Sequence, residues 1–222
     1  MFPRYLIFVF VITVFGLSAC HVKEEEAAVS TADSTANYKT QTIKTPAGNR
    51  FFVMGDFNGD GRLDTLFESY YSTLNRKEVY KHYHPEEVEK DNVLIGKQKA
   101  NCKLYSHNPA IDTFVVSDEY LQSGLLLIEN LGDLNGDKTD ELGYIVDLAD
   151  ISFTNAYIII SYVPATREWK ELLRFKINEM KSFDEENMFE DLRLVKITGP
   201  KQIHYKLFNE SDFVEEKTFN FN

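Results

Sequence analysis

The stretch Gly55-Asp56-Phe57-Asn58-Gly59-Asp60-Gly61-Arg62-Leu63-Asp64 returns 77 residues later as Gly132-Asp133-Leu134-Asn135-Gly136-Asp137-Lys138-Thr139-Asp140-Glu141. Counted from Asp56 or Asp133, oxygen-bearing side chains stand at the first, third, fifth and ninth places of both copies, and a glycine stands fourth. Such a loop must curl tightly, and glycine reaches positive φ without steric cost. Alternate oxygens turned toward one centre suit a hard cation: Ca2+ takes about six to eight oxygens at about 2.3–2.6 Å. The expected ligands are the side chains of Asp56, Asn58, Asp60 and Asp64 with the carbonyl of Arg62, and in the second copy Asp133, Asn135, Asp137 and Glu141 with the carbonyl of Thr139. An Asn-Gly or Asp-Gly hairpin turn needs no ion, but so many oxygen-bearing groups in one turn repel one another without a cation.

The start of the chain sets its compartment. Arg4 precedes an apolar run over residues 6–17, too short to span a bilayer, which takes roughly 20 helical residues, and suited to the core of a secretory signal peptide. Leu17-Ser18-Ala19-Cys20 resembles the lipobox of bacterial lipoproteins, which implies a signal peptide over 1–19, a lipid on Cys20 and an anchor in the membrane. Residue 21 is His rather than the Asp that would favour inner-membrane retention, and Lys23-Glu24-Glu25-Glu26 resembles the acidic export signal of surface lipoproteins in Bacteroidota. An outer membrane lipoprotein is therefore expected, facing the cell surface or the periplasm. Residues 20–48 are poor in large apolar side chains and read as a flexible linker, although the alternating Thr and Ile of residues 38–44 allow an edge strand.

The folded part is expected over 49–222, roughly 175 residues and enough for one sizeable core. With 35 acidic against 24 basic residues and a net charge of −11, the surface repels nucleic acid and attracts cations or basic partners. Once Cys20 carries lipid, Cys102 has no partner in the chain, so bound metal is the natural staple for an exported domain.

β-branched and aromatic runs flank both loops. Residues 125–128, 142–146, 156–163 and 168–177 read as a four-stranded antiparallel meander with the second loop in its first hairpin. Residues 50–54 and 63–71 flank the first loop in the same way. Residues 75–99 are rich in Glu, Lys, Tyr and His and read as a charged insertion, a hairpin or a short helix beginning near Pro85. Further strands are expected at 102–105, 111–116, 192–197, 202–208 and 213–221.

The loops and their flanking strands resemble the FG-GAP or VCBS repeats of integrin-α-like β-propellers, closely over about 60 residues and loosely over about 130. The resemblance implies an all-β fold, a small or incomplete propeller-like stack of four-stranded meanders with Asp-rich calcium loops, and a binding function. Lys138 departs from the pattern, standing where the first copy has Gly61, and the chain is too short for the seven blades of an integrin head.

Nothing in the sequence selects a catalytic group. It holds no Gly-x-Ser-x-Gly, no phosphate loop and no His-Glu-x-x-His. His82, His84, Glu86 and Glu87 would suit a transition metal but sit in the charged insertion, and His107 and His204 stand alone. Phe51, Phe52, Phe67, Tyr144 and Tyr157 are expected to pack sheets, while Tyr70, Tyr71, Tyr80 and Tyr83 are expected to offer a recognition surface. The expected function is a non-enzymatic calcium-binding interaction module with an unidentified protein or glycan partner. One alternative is a periplasmic immunity protein that inhibits a peptidoglycan-cleaving toxin, and another is a glycan-binding or carbohydrate-active accessory protein.

Overall fold

The computed structural model describes residues 41–81, 88–117, 121–149, 153–191, 193–209 and 214–221. The signal peptide, Cys20, the linker as far as residue 40, Tyr83 and the His82–Glu87 candidates lie outside the described residues. Among the described residues the fold is mostly β, with three antiparallel sheets and one short α-helix. Among the described residues no helix is long and apolar enough to cross a membrane.

The first sheet has six strands: β1 (Thr42–Thr45), β2 (Gly48–Gly55), β3 (Asp64–Ser72), β4 (Lys77–Glu78), β5 (Ala100–Ser106) and β6 (Phe114–Ser117). Their order is β1-β2-β3-β5-β6, with β4 pairing β3. β1 is the edge strand allowed by the alternating Thr and Ile, so the sheet begins within the segment expected to be linker. Between β4 and β5 runs the helix α1 (Val88–Gln98). It buries Ile95 and ends where Lys99 turns to a φ of 46°, a left-handed stop for the helix. The insertion thus supplies both a short strand and a helix, starting three residues after Pro85.

The middle sheet is the expected four-stranded meander: β7 (Gln122–Gly132), β8 (Glu141–Leu148), β9 (Thr154–Val163) and β10 (Glu168–Asn178), in spatial order β10-β9-β8-β7. The last sheet has three strands, β11 (Val195–Gly199), β12 (Gln202–Phe208) and β13 (Val214–Asn220). Among the described residues a four-stranded meander is therefore found in the middle sheet alone.

Sequence pattern explains which sheet lies inside. Along β3 burial alternates residue by residue, as expected of a sheet with one face against the core. β8 and β9 are buried almost continuously, because side chains pointing both ways are apolar. From β9, Ile158, Ile160 and Tyr162 join Val53, Leu66 and Leu104 in the core between the first and middle sheets. Tyr157 and Ile159 point oppositely and join Val195, Ile203 and Tyr205 between the middle and last sheets. The middle sheet is thus covered on both faces. The buried tyrosines place their hydroxyls on acceptors, Tyr70 Oη donating to the Gln122 carbonyl at 2.6 Å and Tyr162 Oη to that of Ala110 at 2.8 Å, as buried phenols require.

Tyr70 corrects an expectation. Its place beside the charged insertion suggests a recognition surface, but it is 0% exposed, because it shares the inward parity of Leu66 and Glu68 on β3. Tyr71 is half-buried and Tyr80 exposed, with Tyr80 Oη bonded to the Pro46 carbonyl at 2.8 Å.

The double-sided core makes a direct prediction. Ile159→Ala should cost about 2–5 kcal/mol in urea unfolding, whereas Leu63→Ala, at a side chain 72% exposed, should shift stability by no more than about 0.5 kcal/mol.

Candidate functional site

The two Asp-rich loops join β2 to β3 and β7 to β8, and their backbones follow one trace. Gly59 and Gly136, both fourth, have φ of 71° and 77°, while Gly61 and Lys138, both sixth, have 81° and 78°. Lys138 therefore holds the left-handed turn that glycine holds in the first copy, at a cost of roughly 1–2 kcal/mol. The space at Gly61 is open, so a side chain there meets no neighbour.

The internal hydrogen bonds repeat as well. The sixth-place N–H, of Gly61 or Lys138, donates to Oδ2 of the first aspartate at 2.8 and 3.0 Å. The fifth-place N–H donates to Oδ1 of Asn58 at 3.0 Å and of Asn135 at 2.8 Å. The seventh-place N–H groups, of Arg62 and Thr139, bond Oδ1 of Asp60 and Asp137 at 2.9 and 2.8 Å. Second-place Phe57 and Leu134 are buried, Phe57 in the core between first and middle sheets and Leu134 in that between middle and last. Each loop is thereby pegged into a sheet interface.

The ninth-place carboxylates lie deepest. Asp64 is 7% exposed; Asn108 Nδ2 donates to its Oδ1 at 2.8 Å, and its Oδ2 is buried without a hydrogen-bond partner. Burial raises its pKa above the usual carboxylate range, opposed by Asn108 and reinforced by Asp60 and Asp56. Glu141 is 0% exposed; its Oε2 accepts the Leu134 N–H at 2.5 Å and its Oε1 accepts Asn135 Nδ2 at 3.0 Å. Burial pushes it up to about 7, with Asp137 and Asp133 adding to the rise. Among the described residues, none of the six loop carboxylates at first, fifth and ninth places enters an ion pair. Nor are three His, Cys, Asp or Glu side chains gathered there into a ready-made metal centre. The first- and fifth-place carboxylates turn to backbone N–H groups instead. The donor set fits a hard cation in chemistry, all oxygen with three carboxylates per loop, and the orphaned Asp64 oxygen is the atom such an ion would satisfy.

The loops also touch each other. The Asp56 N–H donates to Asp140 Oδ2 at 2.9 Å, and the Asp140 N–H returns a bond to the Asp56 carbonyl at 2.9 Å. Asn130 Nδ2 donates to Asp140 Oδ2 at 2.9 Å and to the Met54 carbonyl at 3.0 Å. A Cβ on Gly55 would stand 2.5 Å from Asn130 Nδ2 and 2.8 Å from Asp140 Oδ2, so only glycine admits this approach. Gly59 in turn faces Thr139, and its counterpart Gly136 faces Lys201 in the β11–β12 turn. Each fourth-place glycine therefore receives the turn of the next sheet. Asp140, Asn130 and Asn108 escaped sequence reasoning. Asp140 alone carried a visible signal, being a carboxylate at the eighth place, where the first copy has Leu63.

A second buried charged group lies between the first and middle sheets. Glu68 is paired with Lys81, and its oxygens accept the N–H groups of Phe51 at 3.0 Å and Leu125 at 2.8 Å. The Lys81 ammonium also lies 4.3 Å from the Phe51 ring centre. Arg50, nearly fully buried, donates to the carbonyls of Ala47, Asn49 and Val79 and to Glu78. All five of its N–H groups are thereby used, which makes Arg50 a structural tie. No family model, curated protein or solved structure matched the chain.

Asp147 on β8 is half-buried and pushed up to about 6, by desolvation first and then by Glu179. The folded state therefore holds this proton more tightly than the unfolded chain, so stability falls as pH rises from about 4 to about 6. Asp147→Asn should stabilise the protein by up to about 3 kcal/mol at pH 7, with the gain vanishing below about pH 4. Chemical unfolding across that range measures it.

Proposed function

We propose that the chain is a non-enzymatic, calcium-stabilised binding module, anchored by a lipid on Cys20 in the outer membrane. The observation that carries this reading is the duplicated loop, with matching left-handed turns and three carboxylates per copy that enter no ion pair among the described residues. Calcium would be held by Asp56, Asn58, Asp60, Asp64 and the Arg62 carbonyl, and by Asp133, Asn135, Asp137, Glu141 and the Thr139 carbonyl, and would supply the charge that these oxygens lack. Face-to-face stacking of the three sheets supports treating them as an open, propeller-like array, since neighbouring blades pack face to face. The chemistry of the loops is structural, with the ion acting as a clasp between sheets.

The recognition surface lies elsewhere. On the outward face of the first sheet, Phe52, Phe67 and Tyr105, on strands whose opposite face fills the core, form a row with His107 just past the end of β5, ring centres 5.2–6.4 Å apart. The net charge of −11 favours a basic protein partner, and a cationic peptidoglycan-cleaving toxin is one partner of that kind. The aromatic row favours a second reading, a glycan stacked on these rings.

Two outcomes test the proposal. Excess chelator should lower the melting temperature of the wild-type protein, and Asp56→Ala combined with Asp133→Ala should remove that sensitivity; a wild-type melt unmoved by chelation contradicts the calcium clasp. Cys20→Ala should release the protein from the membrane fraction, and retention of the variant there contradicts the lipid anchor.

A further inference from the structure

The two loops are joined more closely than neighbouring turns need to be, and the junction is asymmetric. Asp140 stands between expected ligands Thr139 and Glu141 of the second loop, yet its carboxylate serves the first loop, bonding the N–H of Asp56 at 2.9 Å. Its own N–H bonds the Asp56 carbonyl at 2.9 Å. Asn130, at the entrance to the second loop, closes the clamp by binding both Asp140 Oδ2 and the Met54 carbonyl. The backbone entering loop one is thus held from both ends of loop two, at Asp56 by Asp140 and at Met54 by Asn130. At the equivalent eighth place of loop one stands Leu63, 72% exposed, so loop one makes no corresponding reach.

We infer that Asp140 and Asn130 are positioning residues that couple the two loops, so that a cation bound in the second raises the affinity of the first. The inference rests on the proposed calcium reading. Its physical basis is ordering. A cation bound through Thr139 and Glu141 fixes the residue between them, and fixed Asp140 holds Asp56 in place, so loop one binds with less conformational entropy left to lose. Coupling between sites is reciprocal, so an ion in loop one must strengthen loop two by the same factor.

The test is calorimetric titration of the calcium-depleted full chain with Ca2+. The wild type should bind two ions with positive cooperativity. Asp133→Ala should leave loop one binding one ion at least about fivefold more weakly, the lower end of typical coupling. Asp140→Ala should bind two ions independently, while Asp140→Asn, whose carboxamide oxygen accepts the same two N–H bonds, should restore cooperativity. Two independent sites in the wild type, or full loop-one affinity in Asp133→Ala, overturns the coupling and leaves the calcium reading standing. Absence of Ca2+ binding in the wild type overturns both. If Asp140→Ala does not fold, the wild-type and Asp133→Ala titrations decide the question.

Discussion

The middle sheet cannot face water on either side. β8 and β9 carry apolar side chains in both directions, with Ile158 and Ile160 facing one core and Tyr157 and Ile159 the other. Each buried Ile removes enough apolar surface from water to contribute about 1.5–3 kcal/mol, so a meander with this sequence requires a cover on each face. The first and last sheets are those covers. Their own strands follow from this: β3 alternates strictly because it has one dry face, and the outer face of the last sheet carries Lys196, His204 and Lys206.

Hydrophobic cores hold sheets together without fixing their register, and the loops at the ends of the hairpins add that specificity. Phe57 and Leu134 peg each loop into an interface, and directional hydrogen bonds between Asp56 and Asp140 fix how the first sheet meets the middle one. Buried charge does related work deeper in the same interface, where Glu68 from the first sheet accepts the Leu125 N–H of the middle one while paired with Lys81. An unpaired Glu68 there would be strongly destabilising. The loops are therefore part of the joint between sheets as well as candidate ion sites, which is why a clasp role fits them better than a catalytic one.

Much of this fold was legible in the sequence. Largely apolar runs such as Ala156 to Val163 marked the middle strands, and the spacing of Asp, Asn and Gly located both loops. The three tail strands also fell where β-branched and aromatic residues placed them. Other features depend on distant partners. Asp140 is one more acidic residue until the fold brings it to Asp56, and Asn108 gives no local sign that it will bond Asp64. Tyr70 was misplaced because its nearness to the charged insertion outweighed its parity with Leu66, two positions per strand repeat being the stronger physical cue. Lys138 looked like a break in the second loop, yet its φ of 78° shows that backbone geometry tolerates a strained residue when its surroundings hold it.

Native-state hydrogen exchange at the backbone amides of Asp56 and Asp140, followed with and without calcium, tests the clasp most directly. If the loops lock the first sheet to the middle one, both amides exchange slowly and together, and calcium slows them further in step. Rapid exchange at both positions in saturating calcium, at the rate of exposed loop amides, would contradict the account.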